Sequence, residues 1–202
     1  MTQLPKIIDN NRRSMHDTIS DILPQFDEIS IATGYRDLDW TALLIDKLLK
    51  YKKIRLLIGR EPLIPRHALQ HPESDFPDKD IFYDLENIWF KLKYKETIQK
   101  IKDLIDKWIL EVKVYTNTFL HAKCYIFGDY GCSEAIWIIW SSNFTRAWLT
   151  ANTELNSLES DHRIVTFQPQ NETQEVWHLY RFDQFWNSEN SKNWNWEFIE
   201  LL

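Results

Sequence analysis

The chain has 202 residues, 44% of them hydrophobic and 14% aromatic, with ten Trp and only four Gly. That is globular composition for one domain with a real core, not the composition of a disordered chain. The formal net charge of −6 argues against a surface coated in positive charge for nucleic acid, while leaving room for a local basic groove.

No apolar run reaches the roughly eighteen residues that a membrane helix needs, and the N-terminus has no signal-peptide core, so no membrane partner and a cytoplasmic location are expected. Charge is spread unevenly. From Glu154 onward there are nine acidic residues against three basic ones, whereas the first sixty residues carry ten Lys or Arg against eight Asp or Glu. A nucleic-acid face would therefore draw on the N-terminal half and the Lys-rich middle.

In chain order, the apolar spacing of Ile8, Met15, Ile19 and Ile22 predicts a helix from Ile7 to Leu23, stopped by Pro24, with Arg12 and Arg13 on its polar side. Glu28 to Tyr35 reads as a strand. A helix from about Asp39 to Lys50 follows, and then a strand over KKIRLLIG, which together make a βαβ unit with parallel strands. Sites gather at the carboxyl ends of such strands, here at Gly34–Asp37 and Gly59–Glu61. Tyr35 and Arg36 are accordingly expected near a substrate. The competing expectation is that Arg36 pairs with Asp37 or Asp39.

Glu61 to Asp80, with four Pro and no apolar period, reads as a long loop or insertion. Ile81 to Leu110 is helical by period, as one helix or two, with Lys91, Lys93, Lys95, Lys100, Lys102 and Lys107 on its polar faces. Glu111 to Thr116 is a further strand, and Arg163 to Phe167 another. Thr173 to Asn187 reads as an amphipathic helix burying Val176, Trp177, Tyr180, Phe185 or Trp186, with His178 in a structural role. The apolar ending predicts that the natural chain continues past Leu202, although complete proteins also end this way.

The chemistry concentrates between Leu120 and Asn156. His121 and Lys123 lie two apart in an apolar run, so in a strand they share a face, followed there by Tyr125. A polar turn from Gly128 to Glu134 leads into a second apolar run ending at Ser141-Ser142-Asn143. Were the two strands neighbours, an imidazole, an ammonium, a hydroxyl and an amide would converge at one sheet edge, which is a set of groups suited to phosphate. Cys124 and Cys132 flank the turn; a reduced pair is the expectation and a disulfide the alternative. No cluster of Cys and His has zinc spacing, so no metal and no cofactor are expected.

This stretch resembles the phospholipase D superfamily, whose signature is H-x-K, four residues, D, about six residues, then G-S-x-N. His121 and Lys123 match H-x-K, Ser141 and Asn143 match S-x-N, and Asn152-Thr153-Glu154 resembles the downstream N-x-E. The family's Asp falls at Gly128, with Asp129 one residue late; a bulge shifting the strand by one would bring Asp129 into place. Trp140 stands where the family has Gly before the Ser.

The resemblance implies a single α/β domain, with a mixed, mostly parallel sheet sandwiched between helices. It also implies a metal-independent phosphodiesterase that works through a phosphohistidine. Only one H-x-K is present, so a homodimer is expected to bring two copies of His121 together. The resemblance further implies Lys123, Ser141 and Asn143 on the phosphate, Glu154 orienting a His, and DNA as substrate. A likeness to the N-terminal nuclease-like domains of bacterial helicase and restriction or defence proteins implies a helicase or ATPase unit, in the same chain or complex, as a further partner. The rival expectation is a degenerate domain that holds DNA or dimerises without cutting.

Overall fold

The computed structural model describes residues 6–34, 38–59, 88–117, 120–129, 135–140, 156–159, 166–167, 174–175 and 178–201. Its centre is the βαβ unit. Strand β2 (Glu28–Thr33), helix α2 (Leu38–Leu48) and strand β3 (Lys53–Gly59) follow one another, and the two strands run parallel from Glu28↔Lys53 to Thr33↔Ile58. Helix α3 (Ile88–Asp106) then delivers β4 (Leu110–Tyr115) parallel to β3.

On the other side of β2 come β5 (Lys123–Phe127), β6 (Ile136–Trp140) and β7 (Asn156–Glu159), each antiparallel to its neighbour. Edge strands β1 (Ile7–Ile8) and β10 (Ser191–Asn193) complete a sheet of order β1-β7-β6-β5-β2-β3-β4-β10. A separate ribbon pairs β8 (Thr166–Phe167) with β9 (Gln174–Glu175).

The sheet is mixed, as expected, but its balance is the reverse of the expected one. Among the described residues, five of its seven ladders are antiparallel. Parallel pairing is confined to β2-β3-β4, where helices make the crossovers. The motif-bearing strands β5, β6 and β7 form an antiparallel run, and the run joining β5 to β6, at Gly128 to Ala135, is too short for a helical crossover.

Strand alternation divides the core in two. Ile29, Ile31, Ile54, Leu56, Val112, Tyr125, Phe127 and Ile138 pack with Met15, Ile19, Ile22, Leu44, Ile45, Leu104 and Phe198 in one cluster. This places α1 (Met15–Ile22), α2, α3 and α5 (Asn195–Leu201) over that face. Ala32, Leu57, Ile126 and Trp137 point the other way, against Leu179, Phe182 and Trp186 of α4 (His178–Trp186). Helices therefore cover both faces, as the sandwich requires. Burying each large side chain contributes about 1.5–3 kcal/mol.

The N-terminal helix is shorter than its apolar spacing suggests. Ile7 and Ile8 pair with Ser157 and Asn156 as an edge strand. The chain then turns, with Asn10 at a φ of 59° and the Asp9 carboxylate accepting from the Asn11 and Arg12 amides. Ser14 caps the helix, its hydroxyl accepting from the Asp17 amide at 3.0 Å. Arg12 pairs with Asp9 and Arg13 with Asp21, so both are spent locally.

Helix α4 begins at His178, because Gln174 and Glu175 belong to the ribbon. It buries Leu179, Phe182 and Trp186, and leaves Tyr180 exposed, contrary to expectation. Val176 and Trp177 lie outside the described residues, as does the whole of Glu61–Asp80.

Candidate active site

Two glycines at the carboxyl ends of neighbouring parallel strands carry the His-Ala-Lys segment. Gly34, directly after β2, donates its amide hydrogen to the Ala122 carbonyl at 3.0 Å. A β-carbon built on Gly34 would lie 3.4 Å from the His121 ring, and one on Gly59 would lie 2.0 Å from the Leu120 carbonyl oxygen. Leu120–Lys123 thus crosses the ends of β2 and β3 in backbone contact with both, and at Gly59 only a residue without a side chain leaves room for it. These are the strand ends at which the sequence places a site.

Within that segment Lys123 is half-buried and His121 exposed. The Lys123 Nζ lies 2.5 Å from His121 Nε2 and 3.5 Å from Nδ1. An ammonium group can only donate, so the facing Nε2 is the acceptor, which in the neutral ring puts the proton on Nδ1. In this contact the Nε2 lone pair is engaged by Lys123; a phosphate oxygen that takes over the ammonium's hydrogen bond would leave the lone pair facing phosphorus, with the positive charge alongside. Tyr125, next in the alternation, is fully buried and stacks on Phe127 with centroids 6.3 Å apart; it is core beneath the pair.

Strand β6 runs antiparallel to β5 with Cys124 opposite Ile139, and so ends, at Trp140, on the edge that carries Lys123. Ser141, Asn143 and Glu154 lie outside the described residues, as do Tyr35 and Arg36.

Asp129 is described, and it is not brought to the site. Pairing of β5 with β2 and β6 is continuous through Phe127, without a bulge. Asp129 therefore follows the far end of the strand, about 20 Å from Lys123 at roughly 3.3 Å per residue. Gly128, at the family's Asp position, has a φ of 93° and donates to the Glu28 carbonyl at 2.9 Å. That conformation favours glycine over aspartate, so the departure is built into the turn.

A cavity of about 700 Å³ opens beside the pair, between the sheet and α4, with His121, Lys123, Leu57, Ile126, Arg181 and Phe182 among its lining. The residues that α4 contributes were not singled out as a site from the sequence. Their signal was spacing: His178, Arg181, Phe182 and Phe185 recur at i, i+3, i+4 and i+7, one helix face. The His178 ring stacks on Trp137 at 4.8 Å. Burial holds the His178 pKa below 6.5, partly opposed by the Glu159 carboxylate.

Burial also pushes the Cys124 thiol, on the cavity wall, up to about 12. Cys124 is a free thiol. Among the described residues, no group of three or more His, Cys, Asp or Glu is disposed to hold a metal, and no helix is long and apolar enough to cross a membrane.

No protein-family model and no curated protein matches the chain. Solved structures do. Over 93% of this chain and 95% of the other, it superposes on Nuc, a phospholipase D family member from Salmonella typhimurium, with a TM-score of 0.52 and 11% identity. Over 95% of this chain it superposes on the phosphatidylserine synthase of Haemophilus influenzae Rd KW20, with a TM-score of 0.56 and 15% identity; there it spans 41% of the other chain. At such identities the likeness is one of fold, and the fold of this chain is that of a phospholipase D family member.

Proposed function

We propose that the chain is a phosphodiesterase that cleaves DNA without a metal, through a phosphohistidine, in an active site completed by a second copy of itself. The observation that carries this reading is the 2.5 Å approach of Lys123 Nζ to His121 Nε2 on the glycine platform. A nucleophilic lone pair and a phosphate-binding cation are held together there by backbone packing.

In the first step, the Nε2 lone pair of one His121 attacks phosphorus. A P–N bond forms and the P–O bond to the leaving group breaks. The departing oxygen takes its proton from the imidazolium of the partner subunit's His121. That ring, now neutral, removes a proton from water. The hydroxide attacks phosphorus, the P–N bond breaks, and both rings return to their starting states. Lys123 and Asn143 bind the non-bridging oxygens, where charge builds in the transition state, Ser141 adds a hydrogen bond, and Glu154 orients a His121 ring. Tyr35 and Arg36 contact the substrate beyond the end of β2. On this reading the domain works beside a helicase or ATPase unit of a restriction or defence system.

The test is cleavage of labelled single- and double-stranded DNA in excess EDTA, comparing the wild type with His121→Ala. Cleavage that survives EDTA and vanishes in the variant supports the reading. A protein that stays monomeric while cleaving would overturn the shared site.

The second reading is a degenerate module that binds DNA or dimerises. It is favoured by Gly128, whose φ of 93° disfavours the family's Asp. Wild type that retains DNA in a gel shift without cutting it would establish this reading.

A further inference from the structure

The cavity between α4 and the sheet is continuous with the His121–Lys123 pair, and the hydrolytic steps leave it unused. Its floor is Ala32, Leu57 and Ile126, with no polar side-chain atom; Phe185, the buried edge of Phe182, Cys124 and His178 line its walls. Cations stand at Lys123 and Arg181, and the Arg181 guanidinium lies 5.7 Å from the centre of the Phe185 ring. The site thus pairs an apolar, partly aromatic interior with positive charge beside a phosphate-binding position.

We propose that this cavity takes one unpaired nucleobase of a single strand, that of the nucleotide flanking the phosphate held at His121. The inference rests on the nuclease reading and names the strand state of its substrate. Volume permits it: about 700 Å³ lies within the roughly 300–1,000 Å³ of pockets that take small organic ligands and is ample for one base. Chemistry agrees as well. Aromatic walls interleaved with cations are how single strands are gripped, the rings stacking on bases and the cations following phosphates.

A base in duplex DNA is stacked and paired, and entry would cost the unstacking and unpairing that a single strand has already undergone. The floor offers no hydrogen-bonding side chain, so the grip on the base comes from contact area rather than from reading its edge. An alkyl chain would suit the floor alone. The aromatic wall and the second cation, Arg181, one helix turn from His178 on the same face of α4, favour the base of a polyanion.

The experiment measures binding by calorimetry to His121→Ala, which cannot turn over. The probes are pentathymidylate and a pentamer of the same phosphates carrying tetrahydrofuran in place of every thymidine. The expected result is about tenfold tighter binding of pentathymidylate, the effect of roughly one stacked base. That advantage is expected to disappear when Ile139→Trp is added. Ile139 lines the cavity and is 42% exposed, so the added bulk can narrow the cavity beside His121 without crowding the core. Should that variant fail to fold, Phe185→Ala is read in the same way.

Equal affinity for the two pentamers overturns the proposal, and so does failure of both to bind. Octyl phosphate binding more tightly than thymidine 5′-monophosphate, and lost on Ile139→Trp, would assign the cavity to an alkyl group instead. Since no turnover is measured, the proposal can fail while the cleavage reading holds, and the reverse.

Discussion

Gly59 lies so close beneath Leu120 that a β-carbon on it would come within 2.0 Å of the Leu120 carbonyl oxygen and 2.9 Å of the carbonyl carbon. Both obstacles are backbone, which cannot swing aside like the end of a side chain. Gly59→Ala must therefore push the end of β3 and the segment bearing His121 apart. The expected outcome is a loss of about 1–3 kcal/mol in urea unfolding, the usual range for overpacking, together with loss of DNA cleavage. Gly34→Ala is the contrast. Its nearest neighbours would be 3.4 Å away, at His121 Cδ2 and the Leu120 carbonyl oxygen, so it should fold normally. Equal stability of Gly59→Ala and the wild type would show that the platform is not tight.

On the proposed function, Lys123, 2.5 Å from His121 Nε2, holds a phosphate oxygen beside the attacking nitrogen. Removing one such donor from a transition-state site costs about 10²–10³ in kcat. Lys123→Ala should lose that much cleavage with its unfolding midpoint unchanged. Lys123→Arg should recover only part of it, because a planar guanidinium cannot occupy the position of a compact ammonium group. A drop of less than about tenfold in Lys123→Ala would remove this residue from the phosphate.

The local strands and the site were legible to different degrees. The βαβ unit could be read because β2 and β3 are short apolar runs separated by a helix with apolar periodicity, all within about thirty residues. The closeness of His121 and Lys123 could be read because spacing by two brings side chains together in an extended segment, although β5 itself begins only at Lys123. The balance of parallel and antiparallel ladders could not, since it depends on which strands meet across the sheet. Ile7–Ile8 was misread because two residues carry no period, and their strand exists only through Ser157 and Asn156, some 150 residues away. The cavity needed α4 docked on the sheet, which rests on long-range contacts. Asp129 looked one residue from its expected position in sequence, yet an unbroken ladder carries it to the opposite end of β5.

That docking of α4 has a specific anchor. Arg55 on β3 donates through Nη1 to the Asp183 carboxylate at 2.5 Å and through Nε to Ser30 Oγ at 3.0 Å, with its guanidinium 4.9 Å from the Phe182 ring centre. The two side chains are only 13% and 22% exposed, so water does little to replace the lost partner. Asp183→Ala should leave a mostly buried guanidinium uncompensated and lower stability by about 3 kcal/mol. Because α4 is one wall of the cavity, the same variant should weaken binding of pentathymidylate even where it still folds. Unfolding curves for Asp183→Ala, Arg55→Ala and the double variant check this. Strictly additive losses would mean that the pair contributes nothing as a pair.

The opposite influences on His178 give a prediction in pH. Burial disfavours its imidazolium and lowers its pKa from 6.5, while Glu159 works in the other direction. Glu159 also accepts from the Trp137 Nε1–H at 3.2 Å, and Trp137 stacks on the His178 ring, so the three form one unit on the sheet face opposite α1–α3. Glu159→Gln keeps the acceptor for Trp137 and removes the charge, so the His178 pKa should fall further. Since the folded value is the lower one, the unfolded chain takes up the proton first as the pH drops through about 6.5, and stability declines there. Glu159→Gln should steepen that decline, and His178→Phe should flatten it. Titration of the His178 ring by NMR, alongside unfolding midpoints between pH 5 and 8, reads both effects. A His178 pKa that rises in Glu159→Gln would show that the carboxylate does not stabilise the imidazolium.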